Sequence, residues 1–295
     1  MNYVLFFLEM LFYTIGAVMI CGLVVGLCER LMIYWMGDGI GRGLVICTSI
    51  IGTPVHELSH ALMCLLFGHK IQKIKLWQPC SADGTLGYVT HSYRRNNPYH
   101  ILGNLFIGIG PIFGGLGVMT LCMYLCFPQT VNTYFASVSG MVNGGSSVGA
   151  ILAESLQMIP HMIGEFSSNA LPTWARIVGL VVMFSVSMHI NLSIADIKGA
   201  ATAIPLYLAL ILIPTIIISL MGQENMDTVS GGLQIFSAFM FSLFAVVFVF
   251  CLLQLLVAFL VTCCADYLDD KKKKERSFRL INRFGLSFVG FKDGG

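Results

Sequence analysis

One short motif in the sequence has residue types and a spacing that could bind a metal ion and activate a water molecule. Residues 56–60 read His-Glu-Leu-Ser-His, an HExxH pattern. On a helix, side chains four residues apart lie on one face, so His56 and His60 can bind the same metal ion. Glu57 lies about 100° around the helix from His56, close enough to act as general base on a water molecule at that metal.

The motif lies inside an apolar stretch, residues 43–67, that is long enough to cross a bilayer. Hydrophobic residues make up 56% of the 295 residues and charged residues only 11%, whereas about a quarter of the residues of a soluble domain are charged. This composition predicts a polytopic membrane protein. Histidine and glutamate in hydrocarbon are costly and mark a functional site, although hydrogen bonds between packed helices are an alternative use for them.

Apolar runs of spanning length predict an all-α fold with six transmembrane helices. These runs cover residues 3–27, 43–67, 99–127, 173–195, 200–221 and 233–264. We expect residues 1–270 to form one transmembrane catalytic domain, in which the metal-binding core covers residues 43–200. Residues 271–295 are expected to form a basic cytoplasmic tail.

Basic residues are distributed unevenly between the connecting segments. Lysine and arginine concentrate in residues 68–98 and 271–295, whereas residues 128–172 and 222–232 contain none. By the positive-inside rule, both termini and residues 68–98 are expected in the cytoplasm, and six crossings place the two segments without basic residues outside. The expected location is a bacterial cytoplasmic membrane. The tail is expected to contact anionic lipid of the bilayer rather than nucleic acid.

A catalytic zinc site needs a third protein ligand and one open position. With six crossings, the second and fourth predicted spans run in the same direction, so both bring polar residues towards the cytoplasmic side. Asp196 follows the fourth span and is our predicted third ligand, which completes a His/His/carboxylate set for Zn²⁺. The alternative for Asp196 is an interfacial residue that caps the helix after it.

Two further polar residues precede Asp196 on the same segment. His189 lies seven residues earlier, on almost the same helical face. It is an alternative third ligand, or a donor to the oxyanion that forms at a scissile carbonyl. Asn191 offers the same donor chemistry from a different face. Hydrogen bonding between helices explains either residue alone equally well.

After the second span the hydrophobic period changes from about 3.6 to 2. Residues 70–77 alternate, a turn follows at 79–84, and residues 85–90 are a second strand candidate. We therefore predict a small cytoplasmic β-hairpin. An exposed strand edge can hold an extended substrate through backbone hydrogen bonds, and a connector lying on the membrane surface is the alternative.

Glycines are frequent in the third span around Gly110-Pro111. Small residues let another helix approach closely, and the proline is expected to bend the span.

Over roughly residues 43–200 the chain resembles the site-2 protease family of intramembrane zinc metalloproteases. The resemblance consists of the HELSH sequence in an early membrane helix, a following hairpin that ends in Gly87-Tyr88-Val89, the Gly-Pro at the end of residues 103–111, and a later helix with an asparagine and an aspartate. Its intramembrane placement distinguishes this HExxH from that of soluble proteases.

The resemblance implies a role for each residue of the predicted site. His56, His60 and Asp196 would bind zinc, Glu57 would be the general base, and Asn191 would contact the oxyanion or the substrate. The chain departs from the family pattern around Asp196, where no proline follows Asn191 and the glycine is displaced.

These features together predict an intramembrane zinc endopeptidase, with Glu57, His189 and Asn191 as the candidate catalytic residues. By the same resemblance, its substrate is a transmembrane or membrane-anchored protein or peptide. The alternative is a metal-ion transporter or a non-catalytic metal-binding membrane receptor. A transporter should carry further ligands along a pore, and beyond Glu9 the other spans offer few ionisable residues at mid-depth.

Overall fold

The computed structural model describes residues 3–79, 81, 84–144, 148–166 and 171–269. Most of these residues are helical, and their only strands form one two-stranded antiparallel sheet, which agrees with the predicted all-α class. The predicted basic tail, residues 271–295, lies outside the described residues. In chain order the elements are α1 (Tyr3–Leu11), a π-helical stretch (Phe12–Gly16), α2 (Ala17–Leu66), β1 (Lys70–Lys75), β2 (Tyr88–Ser92), α3 (Pro98–Cys126), α4 (Pro128–Asn143), α5 (Val148–Leu156), α6 (Met158–Phe166), α7 (Thr173–Ser187), α8 (Ile194–Ala201), α9 (Ile204–Leu220) and α10 (Gln223–Asp269).

Three helical stretches of the described chain are long and apolar enough to cross a membrane: Tyr3–Met36, Pro98–Cys126 and Gln223–Cys264. A fourth is formed if α8 and α9, which meet at an angle of 54°, count as one span. Six spans are therefore not confirmed. The polar residues of the HExxH motif lower the hydropathy of residues 43–67, and α7 has only 15 residues, about 22 Å of helix.

α2 is not one straight rod. A methyl group added at Gly41 would lie 3.1 Å from the Cα atom of Ile33. Eight residues of straight helix span about 12 Å, so the chain reverses direction between these two residues. The result is a first arm, Tyr3–Met36, and a second arm, residues 40–66, which carries the HExxH motif.

Side-chain hydrogen bonds give the direction of α10 relative to the first arm. Ser230 donates to Glu9 Oε2 over 2.6 Å, and Thr262 donates to the carbonyl oxygen of Trp35 over 2.9 Å. Both residues of the second hydrogen bond come later in their helices than both residues of the first, so α10 runs parallel to the first arm. The start of α10 therefore lies beside the N-terminal end of that arm.

The helices α7 and α8 together run antiparallel to α3. Arg176, at the start of α7, donates to the carbonyl oxygen of Cys126 at the end of α3. Asn104, near the start of α3, donates to the hydroxyl of Thr202, which follows α8. α9 then packs against α1. The fourth and fifth predicted spans thus run one after the other in the same direction.

The glycines of α3 let two elements approach its backbone, as the sequence predicts. A methyl group added at Gly108 would lie 2.7 Å from the carbonyl oxygen of Asp196, and one at Gly114 would collide with the side chain of Ser59. α8 therefore packs closely on one side of α3 and the second arm on another. This close packing brings the HExxH motif and Asp196 to the same depth.

The predicted hairpin is present, and its second strand begins at Tyr88 rather than at residue 85. β1 and β2 pair antiparallel, with Lys75 opposite Tyr88 and Lys70 opposite Ser92. An irregularity in the register lies between Ile71 and Lys73.

The hairpin folds back along the second arm instead of extending beyond its end. Trp77 Nε1 donates to Ser49 Oγ over 2.8 Å. A methyl group added at Gly87 would lie 2.8 Å from Cγ of Glu57. The segment that leads into β2 is therefore part of the wall beside the HExxH motif.

Two buried charged residues organise the segment between α3 and α7. Glu165 of α6 accepts hydrogen bonds from the backbone N–H groups of Gln129 and Thr130, at 3.2 and 2.8 Å. Arg176 is fully buried and donates to the carbonyl oxygen of Phe166 over 3.0 Å. Both residues satisfy helix-end groups that would otherwise be unpaired, so this acidic residue is structural.

Candidate metal centre

Three side chains from two elements converge on one point. The Nε2 atoms of His56 and His60, in the second arm, are 3.1 Å apart. Asp196, in the first turn of α8, places Oδ1 3.1 Å from Nε2 of His60 and Oδ2 3.8 Å from Nε2 of His56. Among the described residues this is the one group of three or more histidine, cysteine or acidic side chains that could hold a metal ion.

The separations of these ligand atoms fit a tetrahedral ion. Bonds of about 2.0–2.2 Å from zinc to nitrogen or oxygen put tetrahedral ligand atoms about 3.3–3.5 Å apart. The measured separations, 3.1 to 3.8 Å, lie on both sides of that range. The structure therefore brings together the three predicted metal ligands.

Both histidines direct the same ring nitrogen towards the metal position because the other nitrogen is engaged. His56 Nδ1 lies 2.8 Å from the backbone carbonyl oxygen of His189, and His60 Nδ1 lies 2.7 Å from that of Ile107. A carbonyl oxygen can only accept, so Nδ1 donates its proton and Nε2 keeps the lone pair that binds a metal. Such partners fix the orientation of histidine ligands.

Each of these two carbonyl groups is free for a local reason. In a regular helix the carbonyl of Ile107 would accept from residue 111, but Pro111 has no N–H group. α7 ends at Ser187, so the carbonyl of His189 lies beyond the helix and has no helical partner. The proline expected to bend the third span therefore also releases the acceptor that orients His60.

Asp196 combines the two roles that the sequence leaves as alternatives. Its Oδ2 accepts from the backbone N–H of Ser193 over 2.9 Å, and its own N–H donates to Ser193 Oγ over 3.1 Å, which forms a capping box at the start of α8. Its Oδ1 is directed at His60. The cap holds the carboxylate in place, so capping supports ligation.

Glu57 faces the same cavity as the three ligand side chains, a space of about 660 Å³. It is buried, and it does not belong to the ligand group. Its carboxylate lies beside the ligands on the same helix, where it can accept a proton from a water molecule in the cavity.

The structure does not add the ring of His189 to the ligand group. Its Nε2 lies 3.3 Å from Thr48 Oγ1, and the ring packs on Gly52, where any side chain would collide with it. Only the backbone carbonyl of His189 supports the centre. Asn191 does border the cavity, and its Nδ2 donates to the carboxylate of Glu29.

Two residues that border the cavity were missed by the sequence analysis. Thr53 has a buried hydroxyl with no hydrogen-bond partner in the described part of the chain. It lies three residues before His56, a spacing that places both on nearly one helical face and could have identified it. Glu29 lies on the first arm, and its only sequence signal is an ionisable residue just beyond a predicted span.

A second histidine pair lies at the edge of the cavity. His69 Nε2 donates to the carbonyl oxygen of His100 over 2.8 Å, and its Nδ1 lies 3.0 Å from Nδ1 of His91. Burial lowers the pKa of both His69 and His91, so both rings are neutral near pH 7. The neutral His91 ring therefore donates from Nδ1 to His69. The two hydrogen bonds of His69 together link β2 to the start of α3.

No protein-family model, curated protein or solved structure matches this chain. The assignment of the metal centre therefore rests on the described residues and their contacts.

Proposed function

We propose that this chain is an intramembrane zinc endopeptidase, related to the site-2 protease family, that cleaves a transmembrane or membrane-anchored protein or peptide. The observation that carries the proposal is the convergence of His56, His60 and Asp196 beside Glu57, at one cavity among apolar helices. An HExxH pair alone lacks a third ligand, and here a distant helix supplies it.

The donor set favours zinc over the commoner hard cations. Two imidazole nitrogens and one carboxylate suit zinc, whereas magnesium and calcium take mainly oxygen ligands. When bound, zinc polarises a carbonyl group and lowers the pKa of a coordinated water molecule to about 7. The three ligands leave one side of the centre open to the cavity.

Glu57 carries out the proton transfers of this reaction. Its carboxylate takes a proton from the attacking water molecule as the new carbon–oxygen bond forms. It then delivers that proton to the amide nitrogen as the carbon–nitrogen bond breaks, which leaves a carboxylic acid and an amine. One residue with access to both atoms is sufficient for both transfers.

The hairpin is the proposed binding site for an extended substrate. Residues 84–89 border the cavity, and the sheet contains two strands among the described residues, so β2 has an edge without a strand partner. Such an edge binds an extended peptide through backbone hydrogen bonds that do not depend on sequence. The unpaired hydroxyl of Thr53 supplies a further polar contact in the same cavity.

We propose five membrane crossings instead of six: the first arm, the second arm, α3, the series α7 to α9, and α10. The reversal between Ile33 and Gly41 and the directions of α7, α8 and α10 support this count. An odd number of crossings puts the N-terminal end of the first arm and the C-terminal end of α10 on opposite sides of the membrane. Independently of the count, the hydrogen bond from Trp77 to Ser49 places the residues just after β1 beside the second arm.

The five-crossing topology makes a prediction that separates it from the six-crossing one. Cysteines introduced at Thr133, in α4 after the end of α3, and at Gln223, the first residue of α10, are expected to react with an impermeant maleimide from opposite sides of sealed vesicles. Six crossings place both on the same outer side. Peptide mass spectrometry identifies the labelled position, and reaction of both from one side would contradict five crossings.

Removal of the metal tests the proposed function directly. The purified protein in proteoliposomes, with a panel of tagged single-pass substrates, is expected to contain about one zinc ion per chain. A zinc chelator should abolish cleavage, and stoichiometric zinc should restore it. Zinc flux across the vesicles without cleavage, with several exchangeable ions per chain, would instead support the transporter alternative.

A further inference from the structure

Glu29 is a carboxylate at the cavity that the proposed reaction does not use. It lies on the first arm and borders the same space as Glu57 and Asp196. It is half-buried, and it does not belong to the metal-ligand group. A carboxylate at this depth is costly unless a partner or a function stabilises it.

The partner of Glu29 is the side-chain amide of Asn191. Nδ2 of Asn191 donates to Oε2 of Glu29. In this contact the carboxylate oxygen is the acceptor and the amide nitrogen is the donor. The amide oxygen and the second N–H of Asn191 remain for other partners, and Asn191 also borders the cavity.

The segment that carries Asn191 needs such an anchor. The last backbone N–H groups that bond back to α7 are those of Met188 and His189, and α8 begins only at Ile194, so Asn191 lies between two helix ends. A methyl group added at Gly26, one turn before Glu29, would lie 3.4 Å from Cβ of Asn191. The first arm therefore contacts Asn191 through both its surface and its carboxylate.

We infer that Glu29 is a positioning residue, which holds the amide of Asn191 so that its free N–H can donate to the substrate carbonyl oxygen during cleavage. This inference rests on the proposed peptidase function and adds a residue to it. Negative charge grows on that oxygen in the transition state, so a donor fixed beforehand stabilises it without reorganisation. Glu29 acts only through Asn191 and does not itself touch the reacting atoms.

Glu9 provides a matched control on the same arm. It is also a membrane-helix carboxylate with a side-chain donor, Ser230 at 2.6 Å. It does not border the cavity. Glu9→Gln makes the same substitution on the same arm without changing the surroundings of Asn191.

The experiment is a double-mutant cycle on cleavage in proteoliposomes. Asn191→Ala is expected to lower kcat by about 10²-fold, as loss of one oxyanion donor does. Glu29→Ala should lower kcat by about 10- to 100-fold, as loss of an orienting partner does, with KM and zinc content nearly unchanged. The double variant should be no slower than Asn191→Ala, because Glu29 acts through that residue.

Conservative substitution separates positioning from a structural role. Glu29→Gln keeps an acceptor oxygen for Asn191, so it should recover much of the kcat lost in Glu29→Ala, and Glu9→Gln should match the wild type. Multiplicative losses in the double variant, or a loss of zinc with Glu29→Ala, would overturn the inference and leave the peptidase proposal intact. A wild-type chain that cleaves no substrate while Glu57→Gln behaves identically would overturn the proposed function itself, and with it this inference.

Discussion

Replacement of Glu57 by glutamine is expected to abolish cleavage and to leave the metal bound. Glu57 faces the cavity beside the ligands but is not one of them. A glutamine side chain has nearly the same shape, yet it cannot take a proton from water at neutral pH. Loss of a general base costs about 10²–10⁴ in rate, and in the proposed reaction one group serves both proton transfers. Cleavage of the tagged substrate panel and zinc content are measured on the same preparation.

Ser59→Ala is the matched control for this substitution. Ser59 lies two residues from Glu57 in the same arm, but its hydroxyl donates to the carbonyl oxygen of Val55 and its side chain packs on Gly114 of α3. The Ser59→Ala variant should therefore cleave the tagged substrates at close to the wild-type rate. Retained cleavage in Glu57→Gln, with the protein folded and zinc bound, would remove Glu57 from the mechanism.

Loss of Asp196 is expected to cost the protein its metal. Asp196→Ala leaves a two-histidine site, and its zinc affinity should fall by more than about 100-fold, since even orienting partners of ligands are worth about 10- to 100-fold. It also removes the acceptor for the backbone N–H of Ser193, and loss of one such hydrogen bond costs about 1 kcal/mol of stability. Zinc per chain after dialysis against a weak chelator measures the first effect, and thermal unfolding measures the second.

Two further variants separate ligation by Asp196 from capping and from the alternative ligand. Asp196→Asn keeps an acceptor oxygen for the cap but loses the charge, so it should retain most of the stability and still lose zinc. His189→Gln should keep zinc, because the ring of His189 contacts Thr48 and only its backbone carbonyl supports the centre. If His189→Gln lost zinc and Asp196→Ala kept it, the ligand assignment would have to be reversed.

The arguments from sequence succeeded where a pattern is local. HExxH spacing places two histidines on one helical face whatever the rest of the chain does. The change of period after Leu66 likewise indicated a hairpin, because alternation is a property of each strand. Asp196 was reached through the common direction of the second and fourth spans, and in the structure the second arm and α7–α8 both run antiparallel to α3.

The arguments from sequence are weakest where the direction of a helix has to be inferred from hydropathy. Hydropathy measures how apolar a run is, so it cannot show that α7, α8 and α9 follow one another in one direction. It also cannot show that α10 runs parallel to the first arm. The count of six spans, which is not confirmed, and the placement of the two termini, which stays a prediction, both depend on that information.

The sequence by itself therefore determined the two histidines of the candidate metal site, the position of Glu57 beside them and the apolar character of the helices, because these follow from composition and from spacing within one helix. Only the tertiary structure decided which atoms complete the site. In the structure Asp196, and not the ring of His189, lies beside the two histidines. The carbonyl groups of Ile107 and His189 accept from the histidine rings, and Glu29 pairs with Asn191. These contacts join segments that are far apart in the sequence. Only the packing of the helices determines which of their backbone acceptors and side chains meet.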